Sequence, residues 1–193
     1  MNIAIIKYNA GNIQSVEFAL QRLGVSCVVT DDEEIIRSAD KVIFPGVGEA
    51  SSTMQYLRQS GLDKLIVSLK QPVLGICLGL QLMCRHSEEG NADCLGIFPV
   101  DVKRFPATGK VPHMGWNTLQ QTKTKLFDAS IEDKYVYFVH SYYAELSEYT
   151  IATTDYLVPF SAALHKDNFY AAQFHPEKSA KVGEQIIKNF IEL

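Results

Sequence analysis

Gln71-Pro72-Val73-Leu74-Gly75-Ile76-Cys77-Leu78-Gly79-Leu80-Gln81-Leu82-Met83 passes from a strand pattern to a helix pattern with no room for a loop between them. Residues 73–76 form a short apolar run behind a proline, which suits a buried strand. Residues 78–84 have helical composition. Cys77 is therefore predicted on a sharp strand-to-helix turn, with Gly75 and Gly79 two residues to either side. This G-x-C-x-G spacing is that of a nucleophile elbow, whose neighbours must be small for the chain to turn so tightly. A free cysteine, with a pKa of about 8.5, is mostly thiol at neutral pH; a helix N-terminus or a nearby imidazolium lowers that value. A buried structural cysteine in a doubly wound sheet fits the same stretch, so the stretch alone leaves both readings open.

Upstream of this turn, strand and helix signals alternate. Residues 2–6 read as a first strand, and Asn9-Ala10-Gly11-Asn12 as a turn whose Asn12 caps a helix. Ile13, Val16, Leu20 and Leu23 give that helix its apolar stripe, and Gly24 ends it. Residues 25–30 are a second strand, and the acidic run Asp31-Asp32-Glu33-Glu34 suits the first turn of a short helix. Residues 41–44 are a third strand ending in Pro45-Gly46-Val47-Gly48, and a helical stretch over about 49–69 is broken at Gly61. The order predicts an α/β fold, doubly wound, with a mainly parallel sheet and helices on both faces. Functional residues should then gather at the carboxyl ends of the strands.

Beyond Gly90 the texture changes. Residues 97–105, 116–121, 135–143, 150–154, 162–165 and 169–174 read as strands separated by turn residues. They are expected as antiparallel additions to a single domain over 1–193, closed by a helix at about 180–191.

A length of 193 residues suits one domain with a sizeable core. The net charge of −4 gives no electrostatic case for nucleic acid or an anionic membrane as partner. No apolar run approaches membrane-spanning length, and the first residues lack the basic flank of a signal peptide, so a cytoplasmic protein is expected. Cys27, Cys77, Cys84 and Cys94 form no C-x-x-C pair and no zinc-ligand spacing. Reduced thiols follow, with no metal and no cofactor called for.

A cysteine nucleophile needs a base. His175 stands out among five histidines because it ends an apolar strand in Phe174-His175-Pro176-Glu177. In extended chain, residues two apart share a side, so Glu177 is expected beside the imidazole, orienting its tautomer and stabilising its charged form. Taken alone, H-P-E also reads as a capping histidine and a surface glutamate; paired with the elbow, it reads as a triad.

G-I-C-L-G-L-Q and F-H-P-E, about a hundred residues apart and in the order Cys, His, Glu, resemble the class I glutamine amidotransferases over essentially the whole chain. The resemblance implies hydrolysis of the glutamine side-chain amide through a thioester on Cys77, with ammonia passed to a synthase partner. Lys7-Tyr8-Asn9-Ala10-Gly11-Asn12, Phe44-Pro45-Gly46-Val47-Gly48, His113-Met114-Gly115-Trp116-Asn117 and Phe138-Val139-His140-Ser141-Tyr142 narrow it. These segments are similar to glutaminase subunits of imidazole glycerol phosphate synthase, whose barrel-shaped cyclase partner, in a heterodimer, works in histidine biosynthesis. Lys7-Tyr8-Asn9 departs from the acidic residue, tyrosine and glycine expected there. The glutaminase of another synthase (pyridoxal phosphate or anthranilate), or a non-catalytic regulatory partner of the same fold, are the alternatives.

The resemblance also implies residue roles. The Leu78 N–H, at the helix start, is the first oxyanion donor, and the peptide of Val47 and Gly48 supplies the second. A peptide bracketed by Gly46 and Gly48 meets little resistance to reorienting, so that donor could be present in one state and absent in another. Gly46, Gln81, Ser141 and Tyr142 are expected to bind glutamine; Gln81 lies one helical turn past Cys77. Trp116, with Asn12 and Lys178, is expected on the docking surface for the cyclase. His86, His113, His140 and His165 are read as structural.

Overall fold

Strands that are apolar at every position need cover on both faces. A computed structural model describes residues 1–9 and 13–193, and β1 (Ile3–Ile6), β3 (Lys41–Gly46) and β4 (Val73–Cys77) are buried along their whole lengths. Alternation divides their side chains between two cores. Ile3, Ile5, Ile43, Leu74 and Ile76 pack against Val16 and Leu20 of α1 (Ile13–Arg22) and Ile186, Ile187 and Phe190 of α6 (Ala180–Glu192). Ala4, Ile6, Val42, Phe44 and Val73 face the other way. They meet Ile36 of α2 (Glu33–Ser38), Met54 and Leu57 of α3 (Ala50–Ser60), and Leu65 and Ile66 of α4 (Leu62–Ser68).

The acidic run does open a helix: Asp32 is the N-cap of α2, its carboxylate accepting from the N–H groups of Glu34 and Ile35. Gly61, at φ 76°, separates α3 from α4. The cap expected at Asn12, with the Ala10-Gly11 turn before it, lies outside the described residues.

With β2 (Cys27–Thr30), β13 (Phe169–Ala172), β12 (Val158–Lys166), β10 (Tyr142–Ala144), β7 (Asp101–Arg104), β5 (His86–Ser87) and β6 (Ala92–Asp93), the large sheet runs β2-β1-β3-β4-β13-β12-β10-β7-β5-β6 among the described residues, and β11 (Thr150–Tyr156) pairs with β12. The members from β2 to β13 are parallel. The late chain is therefore not wholly antiparallel, since β13 joins β4 in parallel and β5 joins β7 likewise. This places the ends of β4 and β13, and hence Cys77 and His175, side by side.

One expected strand is two. Residues 135–143 split into β9 (Tyr135–His140) and β10, which belong to different sheets. β9 pairs with β8 (His113–Thr118) in a two-stranded sheet, His113 opposite His140, while β10 enters the large sheet beside β7 and β12. Ser141 is the residue at which the chain changes sheets, over the end of β4.

α6 begins just after the 3₁₀ turn Pro176–Lys178 and packs tightly on it. A Cβ at Gly183 would overlap the Pro176 carbonyl oxygen and lie 2.9 Å from the Ser179 Cβ. Gly183→Ala is expected to destabilise the fold by about 1–3 kcal/mol as an overpacking change. Melting curves of the two proteins check this; an unchanged Tm would show that the turn gives way freely.

Candidate active site

α5 (Leu78–Met83) starts where β4 ends, without an intervening residue. Cys77 holds the turn with φ 54° and ψ −107°, an unusual backbone for a side chain with a Cβ. The flanking glycines have steric causes. A Cβ on Gly79 would overlap the Phe44 carbonyl oxygen of β3, and one on Gly75 would meet Met83 Sδ at 2.9 Å and the Gly79 carbonyl carbon at 3.0 Å.

His175 follows β13. Its N–H donates to the Tyr137 carbonyl of β9 at 2.9 Å. The Ser179 hydroxyl donates to the His175 carbonyl at 2.6 Å and accepts from the Tyr137 N–H at 2.9 Å. The imidazole Nδ1 lies 2.7 Å from Glu177 Oε1, and both side chains are 1% exposed. Glu177 reaches the ring by a route other than the extended one expected: residues 176–178 form a 3₁₀ turn, which swings the carboxylate back. Nε2 is buried, and the ring interacts with Cys77. Burial pulls the His175 pKa down, but Cys77 and Glu177 outweigh it and raise the pKa to about 10.

Cys77 opens on a cavity of about 320 Å³, a volume suited to a small polar ligand. Val47, Gly48, Leu78, Ser141 and Tyr142 line it. Gln81 and Glu89 also line it, Glu89 being the one carboxylate among the described lining residues. Gln81 is buried and its amino group is committed within the protein, to the Tyr142 carbonyl at 2.9 Å and Gln173 Oε1 at 3.1 Å. Gln173 in turn places its Nε2 3.8 Å from the Cys77 sulfur. Burial raises the Glu89 pKa, with the nearby Glu49 charge adding to the effect, while Glu89 accepts from the Ala50 N–H at 2.9 Å.

The two glycines of Gly46-Val47-Gly48 are unlike each other. Gly48 has φ +136° and open surroundings, with no contact shorter than 3.9 Å for an added Cβ. Gly46 is clamped: a Cβ there would overlap the Tyr8 hydroxyl and lie 2.9 Å from Leu78 Cβ. Freedom to reorient is thus confined to the Gly48 end. The clamp is Tyr8, whose buried hydroxyl donates to the Pro45 carbonyl at 2.5 Å. Burial pushes its pKa far above the ordinary range, with Cys77 contributing. The other three cysteines lie away from the cavity lining and are free. Burial raises the thiol pKa of Cys27, of Cys94 to about 12, and of Cys84 well above its usual value.

The model of the family described as glutamine amidotransferase class-I matches residues 4–193. The chain belongs to the class I glutamine amidotransferases. This amidotransferase is 66% identical to a protein of Bacteroides fragilis named imidazole glycerol phosphate synthase subunit HisH, over the full length of both chains. It is 49% identical to the protein of that name from Idiomarina loihiensis, covering 100% of this chain and 98% of the other. Its fold is shared with a crystal structure of a glutamine amidotransferase from Thermotoga maritima: TM-score 0.67, 17% identity, covering 99% of this chain and 82% of that one.

Of the docking residues expected for the amidotransferase, Trp116 is 52% exposed beside the equally open Met114, and Lys178 is exposed. Trp116 sits opposite Tyr137 and touches its ring edge-on at 5.9 Å. Asn12 lies outside the described residues. Sequence reasoning passed over three residues the structure brings to the site. Tyr8 was visible only as part of a departing motif, Gln173 as a polar residue in an apolar strand, and Glu89 not at all.

Tyr8→Phe removes the buried hydrogen bond to the Pro45 carbonyl. A loss of about 1–3 kcal/mol in unfolding free energy is expected, measurable by denaturant titration. A variant as stable as the parent would show that the hydroxyl does not hold the loop.

Proposed function

We propose that this chain is the glutaminase subunit of an imidazole glycerol phosphate synthase, feeding ammonia to a barrel-shaped cyclase with which it forms a heterodimer in the cytoplasm. The observation that carries the reading is the buried Glu177–His175 pair, 2.7 Å apart, with Cys77 on the strained elbow beside it and a ligand-sized cavity in front. The names of full-length relatives at 49–66% identity support the choice of synthase.

The chemistry divides into two displacements. The Cys77 thiol gives its proton to His175, the sulfur attacks the side-chain carbonyl carbon of glutamine, and negative charge builds on the carbonyl oxygen. The Leu78 N–H, at the start of α5, faces that charge, and the Val47–Gly48 peptide is the second donor; each such donor is worth about 10²–10³ in rate. The carbon–nitrogen bond then breaks. His175, charged and oriented by Glu177, gives its proton to the leaving nitrogen, which departs as ammonia. Water next attacks the thioester, His175 takes its proton and passes it to the departing sulfur, and glutamate leaves as the thiol is restored.

Glu89 supplies what a free amino acid requires at its other end. A carboxylate in the cavity wall pairs with the α-ammonium group, while Ser141 and Tyr142 face the amino-acid head. The docking surface is the outer face of β8 and β9, where Met114, Trp116 and Tyr135 are 52–60% exposed, together with Lys178.

In the purified complex, Cys77→Ser should lower glutamine-dependent turnover by at least about 10³-fold and leave turnover with ammonium salts intact. His175→Ala should come close to the same loss, and Glu177→Gln should cost less. Retained glutamine hydrolysis in Cys77→Ser would rule the reading out. Glu89→Gln should raise the KM for glutamine about tenfold with kcat little changed, the pattern of a lost ground-state contact. Steady-state kinetics at several glutamine concentrations separate the two parameters.

A further inference from the structure

Two histidines that the proposed reaction does not use, His113 and His140, form a buried pair between the outer hairpin and the cavity. His113 Nδ1 lies 3.0 Å from His140 Nε2. The hydrogen-bond partners at the two ends fix where the protons are. His140 Nδ1 is 2.7 Å from the Tyr142 carbonyl oxygen, which only accepts, so Nδ1 carries the hydrogen. At the far end, Asn117 Oδ1 accepts from the Thr118 N–H at 2.8 Å and its amino group donates to the Asp155 carbonyl at 3.1 Å. The amide orientation is thereby set, and the amino group faces His113 Nε2 at 3.4 Å. His113 Nε2 is then an acceptor, and its hydrogen sits on Nδ1, pointing at His140 Nε2.

One arrangement satisfies every contact: both rings uncharged, both protonated on Nδ1. A second proton on His140 would set two N–H groups against each other across the 3.0 Å gap. A second proton on His113 would do the same against Asn117. Burial acts in the same direction, lowering the pKa of His113 to about 4 and that of His140 to about 3. The His113 ring is also held in orientation, stacked on Tyr156 at 4.0 Å and on Phe138 at 4.8 Å.

The Tyr142 carbonyl at the end of this chain receives a second donor, Gln81 Nε2 at 2.9 Å, which also bonds Gln173, the residue 3.8 Å from the nucleophile's sulfur. We propose that His113 and His140 are positioning residues of the glutamine subsite, a relay of fixed tautomers running from Asn117 in the outer hairpin to the Tyr142 carbonyl and the Gln81 amide. The inference rests on the glutaminase reading for the identity of the ligand. It explains why two histidines, side chains that ordinarily titrate near neutrality, sit in a core with no charged partner in the relay. Neighbouring Met114 and Trp116 occupy the outer side of the same strand, so the relay begins directly behind the exposed face.

Two measurements test it. Long-range ¹H–¹⁵N correlation spectra of the histidine-labelled complex should show both His113 and His140 as neutral Nδ1–H tautomers between about pH 6 and pH 8. An Nε2–H tautomer or an imidazolium at either position overturns the relay, and this needs no variant. Separately, His113→Phe should raise the glutamine KM about tenfold, leave kcat within about threefold, and leave ammonium-dependent turnover unchanged. His113→Asn, whose amino group sits where Nδ1 was, should recover most of the KM. Equal KM values for wild type and His113→Phe, or no recovery in His113→Asn, overturn the positioning role. A wild-type complex without glutaminase activity would instead remove the reading beneath it, while the tautomers would still decide the relay.

Discussion

Gly79 touches the backbone of β3 so closely that no Cβ fits between them. That contact lets α5 begin immediately at the end of β4, which in turn forces Cys77 into a positive φ and presents its sulfur at the sheet's carboxyl edge. The strained residue persists because both sides of it are over-determined. β4 lies between β3 and β13 with every position buried, and α5 is buried at all six positions. Local strain at such a site is sustained by packing that is itself free of conflict.

The same edge gathers buried polar groups, and their arrangement follows from one topological event. The chain leaves the small sheet at His140 and enters the large one at Tyr142, so that the end of β9 and the start of β10 both line the site. β9 thereby holds the backbone of His175 through Tyr137, and the Tyr142 carbonyl receives both His140 and Gln81. The three histidines nearby are treated oppositely. His175 has Cys77 and the Glu177 carboxylate beside it and gains a proton; His113 and His140 lose theirs, desolvated by burial, with the His175 charge also acting against a proton on His140. Burial lowers all three, and only at His175 do neighbours outweigh it.

What the sequence disclosed was what neighbours in the chain determine. The elbow, the break at Gly61 and the helix opened by the acidic run all depend on residues within a few positions of each other. The split at Ser141 was hidden because residues on both sides of it keep a strand pattern, and a pattern does not say which sheet it joins. Glu177 was placed beside His175 by an argument from extended chain, although a 3₁₀ turn is what brings it there. Tyr8 and Gln173 escaped notice for a different reason. Their partners, Pro45 and Cys77, lie 37 and 96 residues away, and nothing local marks the pairing. His113 and His140 looked structural, and their hydrogen bonds become legible only once β8 and β9 are seen opposite each other.

Cys84 is buried and Cys27 and Cys94 are partly buried, which gives the protein a practical asymmetry. Electrophiles sort thiols by how much anion each presents, and desolvation raises the pKa of all three. The cysteine left facing the cavity is Cys77. The scaffold thus acts as a partial protecting group at three cysteines, lowering the anion that each presents to an electrophile or an oxidant.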